Sequence, residues 1–254
     1  MESSFSGLAE RYNAVDGSLG QVVRRHLISR ALDAHLPRPP SRVVDVGGGA
    51  GQQSILLARK GHKVTMLDPS TEMLAEARRR LGLEQDAVRR RVRLVEGIGE
   101  RATEVLGAEE FDAVLCHGVI MYLEDPYPLV KALSDVARPG GVVSVLAKNA
   151  AALAVRPALE ERYGEALTLL DADRAAGRLG VVTRGDTAWG LSRTFEEAGL
   201  GVERWSGVRV FTDHLGDREP GPDLPDILEL EWEAGRREPY RSVARLIHLV
   251  GRRR

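Results

Sequence analysis

The chain has 254 residues, 43% of them hydrophobic, and a formal net charge of -1. That is enough to bury one sizeable core, and the near-neutral charge excludes the strongly basic composition by which nucleic-acid binders are often read. The single cysteine, Cys116, excludes an intramolecular disulfide and a cysteine-based zinc cluster. No run of 18 apolar residues occurs and the first residues lack a basic and then apolar signal, so a cytoplasmic protein without a membrane partner is expected. Only Lys60, Lys63, Lys131 and Lys148 are lysines among the 36 basic residues, so a lone arginine carries little weight.

Residues 2 to 36 read as two helices joined by a turn, the second from about Leu19 to Leu36 with Val22, Val23, His26, Leu27 and Ala31 at helical spacing. Pro37, Pro39 and Pro40 close it. Arg24 or Tyr12 could reach a ligand from this prelude, and packing or surface roles are as probable for either. Val43, Val44 and Val46 then form a strand that runs into Gly47, Gly48, Gly49, Ala50 and Gly51, and helical spacing resumes from Gln52 to Arg59. A glycine turn between strand end and helix start is where α/β proteins bind nucleotides.

Lys63 to Asp68 is the second strand and ends in an acid. Asp68 follows Gly47 at about the 20-residue separation that lets an acid accept from ribose hydroxyls. Its other reading is a helix N-cap, because Pro69 and Ser70 open the helix Thr71 to Leu81. A third strand (Val92 to Val95), a fourth (Phe111 to His117) and a fifth (Val142 to Leu146) alternate with helices ending near Leu106 and Val136. This rhythm predicts an α/β fold with a doubly wound, mostly parallel sheet.

Residues 149 to 190 break the rhythm. They are helical in character from about Ala150 to Ala176, end in a loop from Gly180 to Asp186, and are expected to lie over the strand ends as a lid. A helix (Thr187 to Ala198), a strand (Val202 to Val210), a helix (Asp226 to Gly235) and a last strand (Ser242 to Val250) follow. The two closing strands suggest an antiparallel hairpin at the sheet edge, for seven strands in all. The whole reads as one domain over residues 1 to 254, with a helical cap at 1 to 40.

Glycine spacing decides the nucleotide. The dinucleotide pattern G-x-G-x-x-G fails, since Gly47 and Gly49 are followed by Gln52, and Gly49 and Gly51 by Ser54. What stands instead is Asp45-Val46-Gly47-Gly48-Gly49-Ala50-Gly51. With Gly61-His62, Asp68, Ser70, Met73-Leu74 and Ala77, and with Arg138-Pro139-Gly140-Gly141, this ordered set resembles the class I S-adenosylmethionine methyltransferases. The resemblance implies a Rossmann-like sheet and S-adenosylmethionine held by Arg24, Asp45, Gly47, Gly48, Gly49, Asp68, Met73, Ile98, Gly99, Glu100 and His117. Methyl transfer from an activated sulfonium needs mainly in-line positioning and water exclusion, with no metal. His117 is read as a cofactor or pocket contact ahead of a general base.

The segments from Gly207 to Leu215, Leu228 to Glu231, Glu238 to Tyr240 and Ile247-His248, with Cys116 to Val119 and Asn149-Ala150, are similar to the bacterial tRNA 5-carboxymethoxyuridine methyltransferases. That likeness implies a tRNA partner and a carboxylate acceptor, which is ionised at neutral pH and needs orientation more than a base. His117, Tyr122, Arg184 and Arg209 are the pocket candidates, and for the two arginines a solvated surface role is as probable. Two alternatives stay open: a small-molecule O-methyltransferase, because Glu160, Glu161, Glu165, Asp171 and Asp173 offset Arg174, Arg178 and Arg184 in the lid, and a non-catalytic S-adenosylmethionine-binding protein. The clusters Arg78 to Arg80, Arg89 to Arg91 and Arg252 to Arg254 could restore a basic footprint, although short basic runs are usually solvated faces.

Overall fold

The protein is described by a computed structural model over residues 16–176 and 180–254. The first expected helix, Tyr12 and Arg178 lie outside the described residues. β1 (Arg42–Val46), β2 (Lys63–Asp68), β3 (Val92–Glu96), β4 (Phe111–His117) and β5 (Ala137–Lys148) pair in parallel. β8 (Leu200–Val208) and β9 (Leu246–Arg253) complete a seven-stranded sheet in the order β3-β2-β1-β4-β5-β9-β8.

β9 runs antiparallel to both β5 and β8. The closing strands are therefore an antiparallel pair, but the last strand is inserted and β8 takes the edge. The reason lies in β9 itself, where Leu246 to Gly251 are all buried and need neighbours on both sides. β9 begins at Leu246, later than the expected Ser242, because Tyr240–Val243 forms a 3-10 turn. β8 ends at Val208, earlier than Val210, because Arg209 takes a left-handed φ of 64°.

Helices cover both faces. On one face Val44, Val114, Cys116, Val143 and Val145 pack against α6 (Tyr127–Val136) and α9 (Ala188–Glu197) through Leu129, Leu133 and Phe195. On the other, Val43, Leu115 and Leu146 meet α1 (Leu19–His35) and α2 (Gln52–Arg59). Leu19, Val23, Leu27, Ile28 and Leu32 of α1 are buried, and at about 1.5–3 kcal/mol per buried side chain they make this helix part of the core. α10 (Leu224–Ala234) packs against α1. α3 (Thr71–Gly82) follows β2, the short α4 (Asp86–Arg89) precedes β3, and α5 (Ala102–Leu106) lies between β3 and β4.

Residues 149–190 are not one helical stretch. They hold α7 (Val155–Leu159), α8 (Tyr163–Leu169) and an antiparallel hairpin of β6 (Arg174–Ala176) and β7 (Val182–Arg184). Helix is interrupted where Glu161 takes a φ of 61°, and the β-branched Val182 and Thr183 draw the expected loop into a strand. The hairpin packs against the 3-10 turn Ile120–Tyr122 that follows β4.

Candidate cofactor and acceptor site

The turn after β1, the acid ending β2, the loop after β3, and the residues closing β4 and β5 all gather at the carboxyl ends of the parallel strands. Gly47 and Gly49 have φ of 70° and 56°, which only glycine adopts without strain. They differ in their surroundings: a Cβ on Gly47 would sit 2.2 Å from Val119 Cγ2, whereas one on Gly49 would meet no atom within 4 Å. The turn is thus packed against the protein at Gly47 and open at Gly49. A Cβ on Gly48 would meet Met66 and Asp45.

Asp68 is 6% exposed and carries the geometry of the turn. Its Oδ2 accepts from Gly49 N at 2.8 Å and its Oδ1 from Ser70 N at 2.9 Å. Ser70, not Asp68, caps α3, since Ser70 Oγ accepts from Met73 N. Met73 therefore stands in the first turn of α3, beside the acid. Burial raises the Asp68 pKa against those two backbone bonds.

Asp45 lies beneath the turn, fully buried, with Oδ2 accepting from Ser54 Oγ at 2.7 Å. Burial, opposed by that bond and helped by Asp68, raises its carboxyl to about 6. The β3 loop brings Ile98, half exposed, next to buried Gly99 and partly buried Glu100. Gly99 has no room for a Cβ against Leu129 and Val46. Arg24 reaches from α1 to the end of β4, where its Nη2 donates to the His117 carbonyl at 2.9 Å and lies against Gly118.

His117 is half-buried and its Nε2 lies 2.9 Å from Ser144 Oγ. Burial, followed by His248 and Arg24, holds its pKa well below the usual histidine range. Tyr122 stands in the turn that the hairpin covers. Lys148, closing β5, is 1% exposed and donates to Ala175 O and Thr183 Oγ1, each at 2.9 Å, so the hairpin is fastened to the sheet through one ammonium. Burial and then Arg245 push that ammonium down to about 8.

Arg184 and Arg209 are not solvated. Arg184 donates to Asp186 Oδ1 at 2.6 Å and to the Glu124 carbonyl at 2.9 Å, and Arg174 pairs with the Glu124 side chain. Arg209 is 7% exposed, pairs with Asp213 at 2.8 Å and fits over Gly20, where a Cβ would fall 2.8 Å from its guanidinium. Members of each basic cluster are also paired with acids. Arg79 and Arg80 share Glu76, Arg89 binds Asp86, and Arg252 binds Glu203.

Sequence reasoning missed Ser144, His248, Lys148, Asp186 and Asp213. A signal existed for two of them. Ser144 within Val142 to Leu146 and His248 between Ile247 and Leu249 are single polar residues inside apolar runs. Among the described residues no group of three or more His, Cys, Asp or Glu could hold a metal ion, and no helix is long and apolar enough to cross a membrane.

A glycine turn open at Gly49, an acid fixed beside it and a half-exposed apolar Ile98 fit a nucleoside with an amino-acid tail. The methyltransferase-domain family model matches residues 44–145. The sheet order is that of the class I methyltransferase fold, and the chain is an S-adenosylmethionine-dependent methyltransferase with S-adenosylmethionine as its cofactor. The tRNA 5-carboxymethoxyuridine methyltransferase of Escherichia coli O157:H7 is 29% identical over 258 residues, covering 99% of this chain and 97% of that protein. The ubiquinone biosynthesis O-methyltransferase of Xanthomonas campestris pv. campestris (strain B100) is 34% identical, over 59% of this chain and 62% of its own. Among solved structures, magnesium protoporphyrin IX methyltransferase from Synechocystis PCC 6803 with bound SAH superposes with a TM-score of 0.67 at 15% identity, covering 99% of this chain and 97% of that chain.

Proposed function

We propose that this methyltransferase esterifies the carboxylate of 5-carboxymethoxyuridine in tRNA. The observation that carries the reading is the extent of the likeness. The relative named for that reaction matches across 99% of the chain, through the segments after β5 that border the acceptor side, while the ubiquinone-pathway relative matches over 59%.

In this reading Asp68 takes the ribose hydroxyls, Ile98, Gly99 and Glu100 flank the adenine, and Gly47, Gly48 and Gly49 with Asp45 and Arg24 surround the amino-acid tail. Met73 borders the ribose and His117 faces the transferring group. The cofactor supplies a methyl already activated on sulfonium. The chain's contribution is to orient the acceptor in line and to exclude water. His117 supports an acceptor that needs no deprotonation, because a histidine held far below its ordinary pKa is a weak base at neutral pH. Arg184 and Arg209, aimed by Asp186 and Asp213, would orient the carboxylate through charge-assisted bonds. The segment from 149 to 190, fastened by Lys148, serves as the lid of a single catalytic domain.

One observation favours a small carboxylate or hydroxyl acceptor instead: the acids of residues 160–173 and the engaged arginines leave little basic surface for phosphates. Incubation with labelled S-adenosylmethionine and tRNA carrying the acid precursor decides between them. The expected product is the carboxyl methyl ester, seen by nucleoside mass spectrometry. Absence of ester on tRNA shown to carry the acid would overturn the reading and leave the small acceptor.

A further inference from the structure

Three polar side chains interrupt the sheet face that α1 covers. His117 ends β4, Ser144 lies in the middle of β5 and His248 in β9, among the apolar Leu115, Leu146 and Val250 of the same face. Ser144 Oγ is 2.9 Å from His117 Nε2 and 2.7 Å from His248 Nε2. The two rings meet edge to face, 5.7 Å between centroids. Polar groups this deep persist only when their hydrogen bonds are met.

The hydrogen-bond inventory constrains the protons. A hydroxyl has one proton, so Ser144 donates to one ring nitrogen and must accept from the other. Both rings are neutral, since burial lowers both and His248 falls to about 3. The rings are therefore held in opposite tautomers. Either His248 donates through Nε2–H and His117 carries its proton on Nδ1, or the reverse.

Burial separates the two arrangements. His248 is 1% exposed and its Nδ1 makes no hydrogen bond to a described residue, so a proton there would be an orphaned buried donor, which is costlier than an unused lone pair. His117 is half-buried, and its Nδ1 also makes no hydrogen bond to a described residue. His117 is the less buried of the two rings, so the same proton costs less on its Nδ1 than on that of His248.

We propose that Ser144 and His248 are positioning residues that fix His117 with its proton on Nδ1, so that the end of β4 offers a hydrogen-bond donor, not a base, to a carboxylate oxygen in the site. The oxygen belongs either to the amino-acid tail of the cofactor or to the acceptor. The donor role rests on the placement of His117 in the methyl-transfer site given above; the tautomer itself does not.

Long-range proton–nitrogen NMR on histidine-labelled protein reads both rings directly. The expected wild-type result is His117 protonated on Nδ1 and His248 on Nε2. Ser144→Ala should populate both His117 tautomers and lower kcat/KM on the order of ten-fold, the loss falling on KM for S-adenosylmethionine where the oxygen is the cofactor's and on kcat where it is the acceptor's. His248→Gln, whose amide N–H can replace Nε2–H toward Ser144, should keep the Nδ1 tautomer and most of kcat/KM. A wild-type His117 protonated on Nε2, or an unchanged tautomer in Ser144→Ala, would overturn the proposal, and neither depends on whether tRNA is the acceptor. A shift of the His117 Nδ1 signal with S-adenosylhomocysteine but not with methylthioadenosine supports a bond to the cofactor carboxylate. A shift appearing only with acceptor supports a bond to the acceptor, and no shift with either overturns the donor role.

Discussion

Gly49→Ala separates the fold from the site more cleanly than any other change in the glycine turn. At a φ of 56° an alanine costs about 1–2 kcal/mol in the left-handed region, less about 0.4–1 kcal/mol recovered because the unfolded chain is less free. No atom lies within 4 Å of the added methyl, so no packing cost is added. The net loss of about 1 kcal/mol should lower Tm by about 2–4 °C in a chain of this length. Gly47→Ala carries the same backbone strain plus a Cβ 2.2 Å from Val119 Cγ2, and overpacking of that kind adds about 1–3 kcal/mol. The order reverses in binding. The open side of Gly49 is where cofactor atoms would approach, so the same methyl should raise the Kd for S-adenosylhomocysteine by about 10–100-fold through a steric cost of that size. Thermal melts and isothermal titration calorimetry on both variants test this. A Gly49→Ala protein that melts near wild type and binds S-adenosylhomocysteine unchanged would refute the idea that the cofactor lies against this turn.

Asp68→Ala removes the acceptor for Gly49 N and Ser70 N and, in the proposed cofactor arrangement, two ribose contacts; at about 1.5 kcal/mol or more per charge-assisted bond, calorimetry should show affinity reduced at least about 100-fold. Asp45 has a folded pKa of about 6, above its unfolded value, so the native state holds the extra proton between about pH 4 and 6 and stability from this group falls as pH rises through that window. Asp45→Asn, which retains an acceptor for Ser54, should gain about 2–3 kcal/mol at pH 7 relative to wild type and abolish the wild-type loss of about 1.3 kcal/mol between pH 5 and pH 7, both read from urea curves. Lys148→Met removes the ammonium that Ala175 and Thr183 share, and hydrogen exchange should quicken in residues 174–176 and 182–184 while β1 and β4 stay protected; uniform protection would show that the Arg174 and Arg184 contacts alone hold the hairpin.

Much of the first half was legible because its determinants are local. Gln52–Arg59, Lys63–Asp68 and Phe111–His117 fall where the periodicity places them, and the glycine turn with Asp68 needs only residues within about one βαβ unit. That Asp68 does not cap α3 was also within reach, since Ser70 is the better-placed cap and its hydroxyl takes that role. What escaped depends on strand order. The antiparallel pair at the sheet edge is visible in sequence, but which of its two strands lies beside β5 is not. Ser144 and His248 stand 104 residues apart and meet only because β9 enters beside β5.

The proposed acceptor side was hardest to read because its charges are settled by neighbours that composition treats as cancelling. Arg184 and Asp186 are two residues apart, Arg209 and Asp213 four, and a net-charge count scores each pair as nothing. Folded, each acid restricts a guanidinium to one direction, and Arg209 is held further by a left-handed backbone and by the missing side chain of Gly20. An arginine fixed in this way loses less conformational entropy on meeting an anion than a solvated one. It also meets that anion with part of its charge already engaged. The combination suits orientation of a carboxylate that must remain nucleophilic, and it suits poorly the tight neutralisation of phosphates. Phosphate contacts, if tRNA is the acceptor, must therefore come from basic side chains outside these two pairs.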